Sequence, residues 1–100
     1  MGEKGWVYYM NFEKTSNISK VWANICNHEG EIFYTVRKVP YKYVVKGDYI
    51  WVNDDSRRRI TKESIEKALE IENPTCSKIG NEGIWGPSYI FGIITDNRII

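Results

Sequence analysis

Lys42, Lys46, Tyr49 and Trp51 are spaced so that one face of a β-hairpin would carry them all, and Arg57-Arg58-Arg59 follow shortly after. Cations that neutralise phosphate, set among flat rings on which bases stack, are the recurrent chemistry of nucleic-acid binding. The shared face depends on Gly47-Asp48, because Gly-X is the two-residue loop of a type II′ hairpin. That loop pairs Lys46 with Tyr49, Val45 with Ile50, Val44 with Trp51 and Tyr43 with Val52. Side chains alternate along a strand. Tyr43, Val45, Ile50 and Val52 therefore make a core face, and Lys42, Val44, Lys46, Tyr49, Trp51 and Asn53 the opposite, mixed one. The plainer alternative is that a helix covers the mixed face, with Trp51 and Val44 packed and the lysines reaching past it to solvent.

The three arginines offer phosphate, carboxylate or an acidic protein a planar fork of donors. Adjacent side chains point in different directions, so one site takes all three only if the loop is irregular; a solvated loop is the simpler outcome. Gly80, Gly83 and Gly86 run into Ser88, and Gly83, Gly86 and Ser88 are a candidate anion cradle at a helix start. This stretch has neither the Lys-Ser/Thr of a P-loop nor a dinucleotide fingerprint, and loop geometry alone is the preferred account of it. No catalytic constellation stands out. His28 is the sole histidine, and Cys26 lies about 200° around a helix from it, out of local reach. No metal-ligand spacing is present, and no cofactor is expected. An enzyme would need polar groups converging on the Gly80–Ser88 loop, and the sequence supplies none.

These residues must be positioned by a small set of elements. Trp6–Phe12 reads as an aromatic strand. Ser16 or Asn17 can cap a helix running to about Glu29, in which Ile18, Val21, Trp22 and Ile25 form one apolar stripe and Gly30 supplies the stop. Strands are expected over Glu31–Arg37, Tyr41–Lys46 and Tyr49–Asn53, a loop through Lys38-Val39-Pro40 placing Ile32, Tyr34 and Val36 on the core face. A second helix starts at Thr61 as N-cap, with Ile60 and Ile65 at the positions of a hydrophobic staple, and stops before Asn73-Pro74. Glu63 and Lys67 form an i,i+4 pair on it. Thr75 to Ser88 reads as a long connection. Tyr89–Ile94 is an apolar run in which Pro87 and the pairs Tyr89/Ile93 and Ile90/Ile94 favour a buried helix, while Gly92 and the β-branched residues favour a strand. Helix is preferred.

With 100 residues, 42% hydrophobic and 27% charged, the chain fits one globular domain, residues 1–100. The net charge of +1 names no partner, but its distribution is uneven. Arg37 to Lys62 is strongly basic, and Glu63 to Glu82 is acidic. Cys26 and Cys76 are expected as free thiols. No segment reaches the roughly 18–20 apolar residues of a membrane span, so the expectation is cytoplasmic, with no membrane partner.

Two resemblances bear on the reading. Val7-Tyr8-Tyr9-Met10-Asn11-Phe12 resembles the first-strand motif of the RNA-recognition domain, and Lys46-Gly47-Asp48-Tyr49-Ile50-Trp51-Val52 is loosely similar to its second. That second motif places rings at its third and fifth positions, held here by Asp48 and Ile50, and the domain has two strands between its helices rather than three. The full domain is excluded; the stacking idea is kept. From Phe33 onward the chain resembles a pattern of small, uncharacterised bacterial domains. The matching pieces are Phe33-x-Thr35, Pro40-Tyr41-x-Tyr43, Ile60-Thr61-Lys62-Glu63-Ser64-Ile65, Gly86-Pro87-Ser88-Tyr89 and Asp96-x-Arg98-Ile99. The resemblance implies a bacterial setting, often on mobile elements, and no biochemical activity.

The expected fold is α+β, in the order β-α-β-β-β-α followed by a buried C-terminal helix or strand, with helices on one side of a mainly antiparallel sheet. The leading functional expectation is a non-enzymatic nucleic-acid-binding module. Lys42, Lys46, Arg57, Arg58 and Arg59 would contact phosphate, and Tyr49 and Trp51 would stack. The alternative is a protein-interaction or self-associating module, a dimer through the aromatic face or a sheet edge.

Overall fold

A computed structural model describes residues 18–100, so the strand expected over Trp6–Phe12 and the cap at Ser16 or Asn17 lie outside the described residues. The described chain is α+β, with antiparallel sheets. Helix α1 (residues 18–27) is followed by β1 (Phe33–Tyr34), β2 (Pro40–Tyr41), β3 (Tyr43–Lys46), β4 (Tyr49–Val52) and β5 (Arg59–Thr61). Helices α2 (Lys62–Leu69), α3 (Cys76–Asn81) and α4 (Pro87–Ile94) complete it. β1 and β2 form a two-stranded ribbon, and β3-β4-β5 a three-stranded sheet.

The β3–β4 hairpin has the register that its Gly-Asp loop dictates: Tyr43 opposite Val52, Val44 opposite Trp51, Val45 opposite Ile50, Lys46 opposite Tyr49. Gly47 takes φ +62° and Asp48 keeps a negative φ, the combination a type II′ turn requires. Tyr43, Ile50 and Val52 are fully buried, and Val45 packs at the margin of the core. Against this face α1 buries Ile18, Val21, Trp22 and Ile25. The turn that follows α1 also covers part of the outer edge of β3. Gly30 donates its backbone N–H to the Tyr43 carbonyl at 2.9 Å, and the Glu29 carboxylate accepts the Val45 N–H at 2.8 Å. These two bonds occupy the Tyr43 carbonyl and the Val45 amide on the outer edge of β3.

The segment before this hairpin corrects the expected core face. Phe33 and Thr35 are buried, while Ile32, Tyr34 and Val36 are each about half exposed. The reason is geometric. Thr35 and Val39 pair across a three-residue loop, Val36-Arg37-Lys38, in which Lys38 N–H reaches the Thr35 carbonyl at 2.8 Å and Lys38 takes φ +68°. Phe33 then sits opposite Tyr41. Residues opposite each other in an antiparallel pair share a face, so Phe33 follows Tyr41 and Tyr43 inward and its even-numbered neighbours turn outward. The strand expected over Glu31–Arg37 is also only two residues long.

Two elements were not anticipated. Arg59–Thr61 forms β5 beside β4, with Trp51 opposite Arg59 and Tyr49 opposite Thr61. Cys76–Asn81 forms α3 inside the expected long connection, capped by the Thr75 hydroxyl, which accepts the Lys78 N–H at 3.1 Å. Helix α2 begins as its sequence requires. Thr61 Oγ1 accepts the Ser64 N–H at 3.0 Å, Ile60 and Ile65 are buried together, and Lys67 reaches Glu63 at 3.4 Å. The Tyr89–Ile94 run is helical, with Pro87 at its start and Ile90, Ile93 and Ile94 buried.

A clasp holds the C-terminal segment to β1. The Arg98 guanidinium lies 3.9 Å from the centre of the Phe33 ring, grips Asp96 through two bonds of 2.9 Å, and reaches Glu31 at 3.1 Å and the Ile32 carbonyl at 3.0 Å. Arg98 holds the Asp96 carboxyl below its usual range. Depression of a folded-state carboxyl pKa means stability that is present above the unfolded value and lost as pH falls through the folded one. Asp96→Asn is therefore expected to lower stability by about 1 kcal/mol at neutral pH. The gap from wild type should close as pH drops below the ordinary carboxylate range, which thermal melts between neutral pH and strong acid will read. A gap that persists unchanged in acid contradicts this account of the clasp.

Candidate nucleic-acid interface

Strand alternation and the register of β3, β4 and β5 place Val44, Lys46, Tyr49, Trp51, Arg59 and Thr61 on the side of the sheet away from the core. Lys46, Tyr49 and Arg59 are exposed there, Tyr49 at 43%, and Trp51 and Val44 are half-buried. Cations and rings meet along the diagonals of the sheet. Lys46 Nζ stands 5.4 Å from the centre of the Trp51 ring, and the Arg59 guanidinium 5.8 Å from that of Tyr49. At exposed sites such pairs are worth about 0.5–1 kcal/mol. That is small enough for an incoming base to take the ring while the flexible cation swings to a phosphate.

Lys42 is exposed next to this face, its backbone N–H bonded to Asn53 Oδ1 at 3.1 Å. Among the described residues, Lys42, Lys46 and Arg59 belong to no ion pair.

The three consecutive arginines go three ways. Arg57 folds back on Asp55, with Nε to Oδ1 at 3.2 Å, and this contact pulls the Asp55 carboxyl below its usual range. Arg58 lies 3.8 Å from Asp55 and donates to the Tyr89 hydroxyl at 3.3 Å. Only Arg59, fixed by its place in β5, joins Tyr49 and Trp51. Asp55 thus offsets part of the positive charge that the sequence attributes to this loop, a role that only the turn geometry reveals. Gly83 follows the end of α3 with φ +74°, Gly86 precedes α4 with φ +73°, and Ser88 is half-buried in the first turn of α4. Gly86 also lets Tyr89 and Ile60 come close, since a Cβ there would meet them at 3.3 and 3.6 Å.

Charge is uneven around the sheet. Near the Gly47-Asp48 turn, a groove of about 780 Å³ is lined by Asp48, Tyr49, Lys62, Glu63, Glu66, Lys67 and Glu70. At the other end, past Trp51, stand Lys42 and the Arg57–Arg59 connection.

Neither Trp85 nor Tyr89 is among the contact residues expected from the sequence. Their rings stack at 6.0 Å with planes 28° apart, and Tyr89 is held edge-on by Tyr41 at 5.1 Å. Sequence separation hides the contact between Arg58 and Tyr89, and no local signal would have found it.

The chain matches no protein-family model, no curated protein and no solved structure with which it was compared. The residues of the Phe33-x-Thr35 and Pro40-Tyr41-x-Tyr43 pieces lie largely in the core. Phe33 packs against Tyr41 and Tyr43 at 6.2 and 5.2 Å, Tyr41 donates to the Tyr89 carbonyl at 2.7 Å, and Tyr43 donates to the Ile25 carbonyl at 2.6 Å. Burial pushes both phenols far above their usual range, so they remain protonated donors. That pattern describes how this half of the chain folds. Among the described residues no cluster of His, Cys, Asp or Glu could hold a metal, and no helix is long and apolar enough to cross a membrane.

Proposed function

We propose that this chain is a nucleic-acid-binding module whose contact surface is the outer face of β3, β4 and β5. The observation that carries the reading is the diagonal pairing of Lys46 with Trp51 and Arg59 with Tyr49 on a face where cations and rings keep solvent access. Lys42, Lys46 and Arg59 meet phosphate, Tyr49 and Trp51 take bases, and Arg57 and Arg58 add charge tempered by Asp55. Binding of labelled DNA and RNA oligonucleotides, followed by anisotropy across a salt series, tests this. Affinity for a single strand changes with a log–log slope of about −0.7 per phosphate contact, so three cations give roughly −2. Binding that is absent for both nucleic acids, or indifferent to salt, removes the proposal.

A second reading, self-association, is favoured by one observation: Ile32, Tyr34 and Val36, which share the outward parity of the segment containing β1, each stand about half exposed. Clustered apolar exposure of this kind marks contact surfaces. Sedimentation separates the two. A dimer dispersed by Val36→Asp supports association through the ribbon, and a monomer at every concentration excludes it.

A further inference from the structure

We infer that the ligand is single-stranded, and that its path leaves the sheet past Trp51, crosses the Arg57–Arg59 connection and ends on a second stacking platform made by Trp85 and Tyr89. This rests on the nucleic-acid reading above and assigns it a ligand class and a route. Register, sequence and one hydrogen bond link the two platforms around the edge strand β5, where Arg59 and Arg58 alternate between its two sides. Trp51 sits opposite Arg59 in the sheet, Arg58 is the next residue and donates to the Tyr89 hydroxyl, and Tyr89 stacks on Trp85. Trp85 is 49% exposed, an unusual allowance for so large an apolar ring. Tyr89 is not free to follow it into solvent, being braced edge-on by Tyr41 and bonded by Arg58.

The groove at the far end of the hairpin sets Asp48, Glu63, Glu66 and Glu70 beside Lys62 and Lys67, so the Arg57–Arg59 end is the more basic exit from the sheet. Two ring platforms joined by cations suit unpaired bases in particular. A duplex buries the faces of its bases against each other and offers this surface only phosphate, whereas a single strand offers both bases and phosphate.

Labelled single strands of increasing length, and a duplex of the same sequence, provide the test with the full chain. Affinity is expected to rise with length over roughly 4 to 16 nucleotides, and the duplex to bind more weakly than the longest single strand. Trp85→Ala is expected to abolish the gain with length, a loss of roughly 5- to 150-fold for the longest strand. The shortest strand should bind this variant as it binds wild type. Trp85 is exposed enough for the variant to fold, and a circular dichroism melt checks that it does. If Trp85→Ala binds every length like wild type, or the duplex binds as tightly as the single strand, the second platform is refuted while salt-dependent binding at Trp51 still stands. If no oligonucleotide binds at any length in low salt, the nucleic-acid reading itself falls.

Discussion

Gly92→Ala is expected to destabilise the protein by about 2 kcal/mol or more, and to lower its melting temperature by on the order of 10 °C. Gly92 lies inside α4, where alanine normally gains about 1 kcal/mol over glycine from helix propensity alone. Here the sign reverses. A Cβ at this position would stand 2.4 Å from the Tyr34 carbonyl oxygen and 2.9 Å from the Tyr41 hydroxyl. The first is backbone of β1 and cannot rotate away. The second is engaged at 2.7 Å with the Tyr89 carbonyl. Relief requires α4 to lift off the β1–β2 ribbon, loosening Ile90, Ile93 and Phe33, all fully buried. A thermal melt of the variant checks this directly; a melting temperature at or above wild type would show that the close approach of helix and ribbon is not there.

Trp51→Ala is expected to weaken oligonucleotide binding by roughly 5- to 150-fold, the range for loss of one base-stacking ring, while leaving the salt dependence of what remains unchanged. Lys46→Ala and Arg59→Ala should do the reverse. Each lowers the magnitude of the log–log salt slope by about 0.7, with a smaller effect in high salt, where charge is already screened. Trp51→Phe should recover part of the lost affinity, because a ring remains. This crossed pattern separates stacking from charge in a way that a general loss of structure could not imitate. Equal binding by wild type and Trp51→Ala would exclude the sheet face as the contact surface.

What could be read in advance was whatever short-range rules decide. The Gly47-Asp48 turn set the register of four residue pairs, and with it the side on which Lys46, Tyr49 and Trp51 stand. Thr61 announced α2, and Pro87 favoured a helix over Tyr89–Ile94. The reading failed where both faces of a segment are apolar. Glu31 to Arg37 carries Ile32, Tyr34 and Val36 on one parity and Phe33 and Thr35 on the other, and the even-numbered set is the larger. Pairing with Tyr41 decides the matter, and that pairing is tertiary. β5 was hidden because Ile60 is its one buried residue and arginines precede it. α3 buries Ile79 alone, so only its Thr75 cap was there to signal it. At the candidate interface, the sheet-borne residues followed from alternation. The tether of Arg57 to Asp55 and the approach of Arg58 to Tyr89 depend on loop geometry and long-range packing.

The plug that Glu29 and Gly30 place on β3 shapes how the molecule can go wrong. A bare strand rim would let a neighbouring copy add itself sideways, the first step of a swapped oligomer or a fibril. Here such accretion along β3 must first peel away the turn after the preceding helix and leave a carboxylate without its amide. That helix also precedes the hairpin in the chain, so during synthesis the stopper emerges before the rim it has to cover.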